Sequence, residues 1–395
     1  MSSILAHQPF VTATVTNFFF FLSLNGFVLL PLYILALGGT EIEVGLVMGL
    51  YTGVGIVCQP LLGPIVDAVG RRPFMLAGVG LVFGASLLAI TAESIVALAV
   101  VRTLQGLGFS AFFVSMFSYV VDIVPPAQRG WALGIYGVSG FVSTAVAPLA
   151  GEFIIRYWGF RALFVVSAVL AAVTIAIVWR VRDTRPHAVV TMVRMGASMM
   201  RMGVDDVLQR HMAVTLFFGL GSGTIFAFLP TFAEDLGVRT LSLFYTAYAL
   251  AAIAVRVFGG RLIDTRGRRA VIVPSMFVQA VSTGLLTALG LLVSRHSATP
   301  VLPVLFVSGL LSGGAHGFLY PGLAALITDT APDDRRASIV GVFSAVMLLG
   351  QTSGAVIFGF VTHALGYGFM WWILTMLLIM GGAFSMSLPR PLAAT

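Results

Sequence analysis

The stretch GPIVDAVGRR at 63–72 returns as GRLIDTRGRR at 260–269, so Asp67, Gly70, Arg71 and Arg72 recur as Asp264, Gly267, Arg268 and Arg269, each 197 residues later. A second pair, DIVPPAQRGWALG at 122–134 and DTAPDDRRASIVG at 329–341, keeps Asp122/Asp329, Pro125/Pro332, Arg129/Arg336 and Gly134/Gly341 at an offset of 207. Pro31/Pro230 and Gly38/Gly237 match at an offset of 199. The offset grows by ten between the two charged stretches, which requires an insertion, and SRHSATP at 294–300 accommodates it. Self-similarity on this scale means that one folding unit is used twice.

The medium of that unit follows from its composition. Of 395 residues, 58% are hydrophobic and only 9% charged, against about a quarter charged in a soluble domain. That deficit excludes a water-soluble enzyme or nucleic-acid-binding domain. All 22 basic residues are arginine and lie scattered between apolar runs, so the net charge of +7 does not describe a nucleic-acid face. The single cysteine, Cys58, forms no intrachain disulfide.

Apolar runs fall at 10–38, 42–66, 73–92, 94–121, 130–155, 160–180, 211–235, 241–263, 270–293, 301–328, 337–362 and 367–388. Each approaches the roughly 20 residues that cross a hydrocarbon core of about 30 Å. The expectation is an all-α membrane protein with twelve transmembrane helices in two homologous six-helix halves, 1–180 and 211–395, joined by a cytoplasmic linker, 181–210. The first run is too long for a signal-peptide core and no small-residue cleavage site closes it, so it is expected to stay as span 1. Met/Val spacing in the linker suits either an amphipathic helix on the inner membrane face or a solvated connection. With the N-terminus inside, sixteen arginines fall in cytoplasmic segments against four outside, Arg156, Arg161, Arg239 and Arg295. The positive-inside rule then puts both termini in the cytoplasm.

Two such halves describe many secondary transporters, whose substrate site lies near the midplane. The G-x-x-x-D-x-x-G-R-R stretch between spans 2 and 3, repeated between spans 8 and 9, resembles the signature loop of the major facilitator superfamily. Arg102-Thr-Leu-Gln105-Gly106-Leu-Gly108 in span 4 resembles that family's R-x-x-Q-G-x-G motif. The resemblance implies that the loop is an inner latch, in which Asp67 faces the N-terminus of span 11 and Arg71 and Arg72 pair with Asp122. It implies the same of Asp264, Arg268, Arg269 and Asp329 against the start of span 5 near Arg129. A carboxylate at a helix N-terminus is stabilising by up to about 2 kcal/mol when partly buried, and topogenic charge is the plainer reading. Gly70 and Gly267 suit a tight turn.

Arg102 lies at membrane depth, where a charge normally faces the bundle interior or a water-filled cavity. Resemblance implies proton coupling or the holding of an anionic group, with Gln105 on the same face; a bond to backbone carbonyls of span 1 is the alternative. Arg256, aligned with Gln59, reads as a snorkelling or seam-locking residue near the inner face. Span 5 resembles the family's antiporter motif G-x8-G-x3-G-P-x2-G-G in degenerate form, with Gly134, Ser143, Ala147, Pro148, Gly151 and Glu152 at its positions. Small residues there permit close contact and Pro148 a bend. Span 11 repeats Gly341, Gly350 and Gly354 but has Ala355 in place of the proline.

In span 10, His316 lies among glycines near the midplane with Tyr320 one turn on, placed to carry a coupling proton, to bond substrate, or to be satisfied by a neighbouring helix. Asn25, like Asn17, suits either a cavity wall or an interhelical bond. No acid occupies the central third of any span, which disfavours a strongly cationic cargo and favours a neutral, amphipathic or anionic one.

There is no metal-spaced cluster, G-x-S-x-G elbow or phosphate loop. The expectation is therefore a transporter, not an enzyme, with no metal, no cofactor and no nucleic-acid partner. Its partners are a small-molecule substrate, protons and the lipid bilayer. It is read as a monomer in a bacterial inner membrane that works by alternating access, with proton-coupled efflux ahead of uptake, facilitated diffusion, flipping of a lipid-like molecule, or a non-transporting sensor.

Overall fold

Inside hydrocarbon each backbone amide must be hydrogen-bonded within its own segment or a closed sheet, and apolar runs of this length meet that demand as helices. The computed structural model describes residues 7–125, 128–184, 210–238, 240–292, 301–330 and 336–388, and every regular element among them is helical. Among the described residues, ten helices are long and apolar enough to cross a membrane. They are α1 (Gln8–Ala36), α2 (Glu41–Val69), α3 (Arg71–Ile90), α4 (Ile95–Ile123), α5 (Arg129–Trp179), α6 (Arg210–Asp235), α7 (Ser242–Gly259), α8 (Arg268–Leu292), α9 (Val301–Thr330) and α10 (Arg336–Ser385). The linker's amphipathic stretch and the SRHSATP turn lie outside the described residues.

Where two spans were expected on each side of residues 155–160 and 362–367, the chain runs on as α5 and α10, because no loop separates them. Each is broken at one residue, Gly159 (φ 80°) and Gly366 (φ 79°). A side chain on Gly151 would meet Leu163 Cδ1 at 3.4 Å, although that separation in sequence spans about 18 Å of straight helix. The chain therefore folds back at Gly159. Among the described residues, the six with positive φ are all glycines, and they form three pairs at the repeat offsets: Gly38/Gly237, Gly70/Gly267 and Gly159/Gly366. The repeat read from the sequence is thus also a repeat of backbone conformation.

The chain divides into two compact units, one of Met1–Tyr33 with Leu50–Ser198, the other of Ile34–Gly49 with Met199–Thr395. In the first, Phe20 of α1 stacks on Phe112 of α4 at 3.7 Å between ring centroids, inside a core that includes Phe10, Met75, Val79, Met116 and Tyr136. Three polar bridges tie α1 to α5: Asn17 Nδ2 donates to Ser139 Oγ (2.8 Å), Ser143 Oγ to the Phe18 carbonyl (2.8 Å), and Asn25 Nδ2 to Thr144 Oγ1 (3.1 Å). In the second, Ser282 and Ser308 bond across α8 and α9 (2.9 Å), and Thr287 meets Thr375 of α10 (3.2 Å).

Gly159 and Gly366 combine φ near +80° with ψ of 176° and 170°, a region taken almost only by glycine, where an L side chain costs about 1–3 kcal/mol. Gly159→Ala and Gly366→Ala should each lower the melting temperature of the detergent-purified protein. Gly84→Ala, in a helical position with open space around it, should leave it unchanged or raise it; equal losses at all three sites would contradict the assigned break.

Candidate functional site

Three small-residue contacts build the surroundings of Arg102. Ser94 caps α4, its hydroxyl accepting from the Ala97 amide at 3.2 Å. About three turns on, a Cβ at Gly106 would meet the Tyr51 carbonyl oxygen of α2 at 2.5 Å, and one at Gly108 would meet the Gly78 carbonyl oxygen of α3 at 2.6 Å. The two motif glycines therefore let α4 touch backbone on two sides. The approach at Gly106 brings the Tyr51 ring over the guanidinium, 4.3 Å from its carbon to the ring centroid. A desolvated contact of this kind is worth about 2 kcal/mol. Arg102 is 6% exposed and Gln105 fully buried; Arg102 Nη1 donates to Gln105 Oε1 at 2.9 Å. The bond is to this amide and not to carbonyls of α1. Arg102 Nε and Gln105 Nε2 are buried donors with no acceptor among the described residues.

The second unit holds the matching place. Tyr248 stands 197 residues after Tyr51 and Gly313 stands 207 after Gly106; a Cβ at Gly313 would again strike the carbonyl oxygen of that tyrosine. His316 occupies the position of Phe109. Its ring centroid lies 5.0 Å from Phe218, 5.7 Å from Tyr248 and 6.5 Å from the parallel ring of Tyr320. Arg256 sits on a π-helical turn, Val255–Gly259, an irregularity often found at functional sites. It interacts electrostatically with Tyr248, Tyr320 and His316, which directs its charge to this aromatic cluster. Tyr51 and Tyr248 were not singled out in the sequence, although extending the repeat offsets along spans 2 and 8 would have paired them.

The charged loop is resolved in detail in the first unit. Arg71 Nη1 pairs with Asp67 (2.6 Å) and bonds the Val66 carbonyl (3.0 Å), while its Nε pairs with Asp122 at 3.1 Å. Arg72 Nη2 donates to the Trp179 carbonyl (2.5 Å), and its guanidinium lies over the Trp179 ring. In the second unit Arg268 pairs with Asp329 (3.0 Å) and bonds the Ile263 carbonyl (2.8 Å), and Arg269 bonds the Met386 carbonyl. Each of these bonds repeats its counterpart at the sequence offset. The side chain of Asp264 lies outside the described residues.

Asp183, unremarked in the sequence, joins the first cluster. Its Oδ1 accepts from the amides of Arg71 (2.9 Å) and Arg72 (3.2 Å) and so caps α3, and Thr184 Oγ1 donates to Asp122 at 3.0 Å. Gly70, at φ 118°, leaves the room this carboxylate occupies. In the antiporter-like stretch, a Cβ at Gly151 would lie 2.8 Å from Leu29, whereas Gly134 has open space around it among the described residues. Pro148 is carried inside α5, and the break comes at Gly159. Asn25 is engaged with Thr144.

The family model described as Major Facilitator Superfamily matches residues 12–201 and 212–395. The chain belongs to that superfamily. It is 23% identical over 380 residues to a staphylopine export protein of Staphylococcus aureus, covering 94% of each chain. It is 31% identical over 155 residues to the quinolone resistance protein NorA of the same species, covering 38% of this chain and 37% of that one. In fold it resembles a crystallised peptide transporter in complex with sulfate, at 14% identity, with a TM-score of 0.77 over 96% of this chain and 94% of the other. The protein is a multi-pass integral membrane member of a transporter family.

Asp183→Ala removes the α3 cap and should cost about 1 kcal/mol, read as faster amide exchange at Arg71 and Arg72 with α4 unaffected. Exchange there unchanged from the parent protein would show that Asp183 does not hold this loop.

Proposed function

We propose that this chain is a secondary active transporter that exports a small organic molecule by alternating access, in exchange for protons. The observation that carries the reading is the duplicated charged loop, in which Arg71 with Asp122 and Arg268 with Asp329 make the same bond in both units. Two latches of one design suit a molecule that rocks one half against the other. Efflux is supported by relatives named for staphylopine export and quinolone resistance.

Twelve crossings support that mechanism. The apolar stretches Trp131–Trp179 and Gly341–Ser385 contain 49 and 45 residues, about twice what one passage needs, and each breaks at its glycine. Each therefore counts as two spans, in halves 1–180 and 211–395 with the linker 181–210 between them. Arginine placement puts both termini in the cytoplasm, and a bacterial inner membrane and a monomer complete the reading. Arg102 with Gln105, and His316 with Tyr320, are the groups assigned to the substrate and proton pathway. Asp67, Gly70, Arg71, Arg72 and Asp122, with Asp264, Gly267, Arg268, Arg269 and Asp329, are assigned to the latch. The chemistry is transport, not catalysis.

The test is flux in proteoliposomes with and without an imposed pH gradient, using a cargo found by thermal-shift screening. Uphill, gradient-dependent movement is expected. Movement that only follows the cargo's own gradient would replace exchange with facilitated diffusion. Arg102→Ala should abolish uphill flux while the protein still inserts in the membrane. His316→Ala should alter the pH profile of transport, and a profile identical to the parent's would reduce His316 to a packing residue.

A further inference from the structure

The hydrogen-bonding pattern of Arg102 is one-sided. Nη1 is taken by Gln105 Oε1. Nε has no acceptor among the described residues and is sealed from solvent. Nη2 also makes no hydrogen bond among the described residues, yet it is absent from the sealed atoms, so the small accessible surface of this residue includes it. Nε and Nη2 together form the edge of a guanidinium that receives two oxygens of one planar anion side by side. Gln105 Nε2, fully buried, is a third donor without an acceptor. A buried donor left unsatisfied is costly, and more so when charged. The protein has left unpaired the edge best suited to a carboxylate, and no acid among the described residues forms an ion pair with Arg102.

An apolar row leads away from the guanidinium, starting at the Tyr51 ring that covers its face. The Tyr51 ring lies 5.4 Å from Phe109, Phe109 stacks with Phe113 at 5.4 Å, and Phe113 with Phe117 at 6.2 Å. The four-residue spacing keeps the three phenylalanines on one face of α4, and Phe117 is exposed. Packing alone accounts for aromatic contacts, but not for donors left unpaired at the end of the row.

We propose that Arg102 and Gln105 receive the carboxylate of the cargo, and that the Tyr51–Phe109–Phe113–Phe117 row carries its apolar body; the substrate class is an amphipathic monocarboxylate. One guanidinium balances one negative charge, which separates this class from phosphate esters and dicarboxylates. The inference rests on the transport reading above and specifies its cargo.

The test is calorimetric binding to the full-length protein in nanodiscs. The probes are acetate, octanoate, 4-phenylbutyrate and 1-naphthylacetate, each with its neutral amide. The apolar acids should bind at least tenfold tighter than their amides, with acetate weakest. No acid binding tighter than its amide overturns the proposal. Gln105→Glu places a carboxylate beside the open edge in a side chain of the same size. It should keep the protein folded and reduce acid binding at least tenfold, leaving amide binding as it was; acid binding equal to the parent's overturns the proposal. Arg102→Lys keeps the charge without the two-point edge and should lose about tenfold for acids alone. Acid-selective binding without gradient-driven flux would remove the export reading and keep this one. Gradient-driven flux of a neutral cargo with no preference for acids would do the reverse.

Discussion

Backbone polar groups have no water to turn to inside a bilayer, and this constraint decides what else the chain can do. Each span must satisfy its own amides, so every crossing is a helix. Lipid is as apolar as leucine, so burial gives little reason for one helix to choose another. Specific contact then falls to small residues that let backbones meet and to a few polar bridges. Gly106 against Tyr51, Gly108 against Gly78, and the Asn17, Asn25 and Ser143 bonds between α1 and α5 are those devices here. The arginine motif of α4 is therefore first a packing motif: its two glycines set the neighbours among which Arg102 lies, and only then does the charge acquire a role.

The same device appears in both units with different chemistry on it. Gly106 with Tyr51 and Gly313 with Tyr248 are one contact repeated, but the guanidinium is carried by α4 in the first unit and by the π-helical turn of α7 in the second. The residue one turn beyond the contact is Phe109 in one case and His316 in the other. Duplication thus preserved the backbone approach and left the side chains around it free to diverge. A polar amide beside an open arginine edge in one unit, and an imidazole amid three rings in the other, are distinct environments built on one frame.

Much of this was legible in the sequence because repeats, spans and arginine placement are properties of composition and spacing. In the charged loop Arg71 with Asp122 and Arg268 with Asp329 lie where the offsets put them, whereas Arg72 and Arg269, expected on the same acids, bond the Trp179 and Met386 carbonyls at the end of a helix far along the chain. The sequence was silent where a contact depends on the meeting of distant segments. Tyr51 is an ordinary aromatic in an apolar run until α4 reaches it through Gly106. Asp183 reads as linker until the folded chain sets it against the start of α3, more than a hundred residues away. Asn25 left two readings open in the sequence, and its bond to Thr144 belongs with the packing of α1 on α5. The break between 155 and 160 was legible because Arg156 and Arg161 interrupt the apolar run there, but that it is made at the single residue Gly159 was not, since one glycine leaves no loop signature.

Asp183 also marks where the two halves stop being alike. Counting on by the offset that relates Trp179 to Met386 leads from Asp183 to Arg390. A guanidinium has no lone pair to offer, so it cannot accept the amides of Arg268 and Arg269 as the carboxylate accepts those of Arg71 and Arg72. The bonds of Arg72 to Trp179 and of Arg269 to Met386 are retained, so both loops remain tied to the end of the last helix of their half. The first is also tied to the chain that leaves that helix, through Asp183 and Thr184. A force on the linker would therefore reach Asp122 and Arg71 directly.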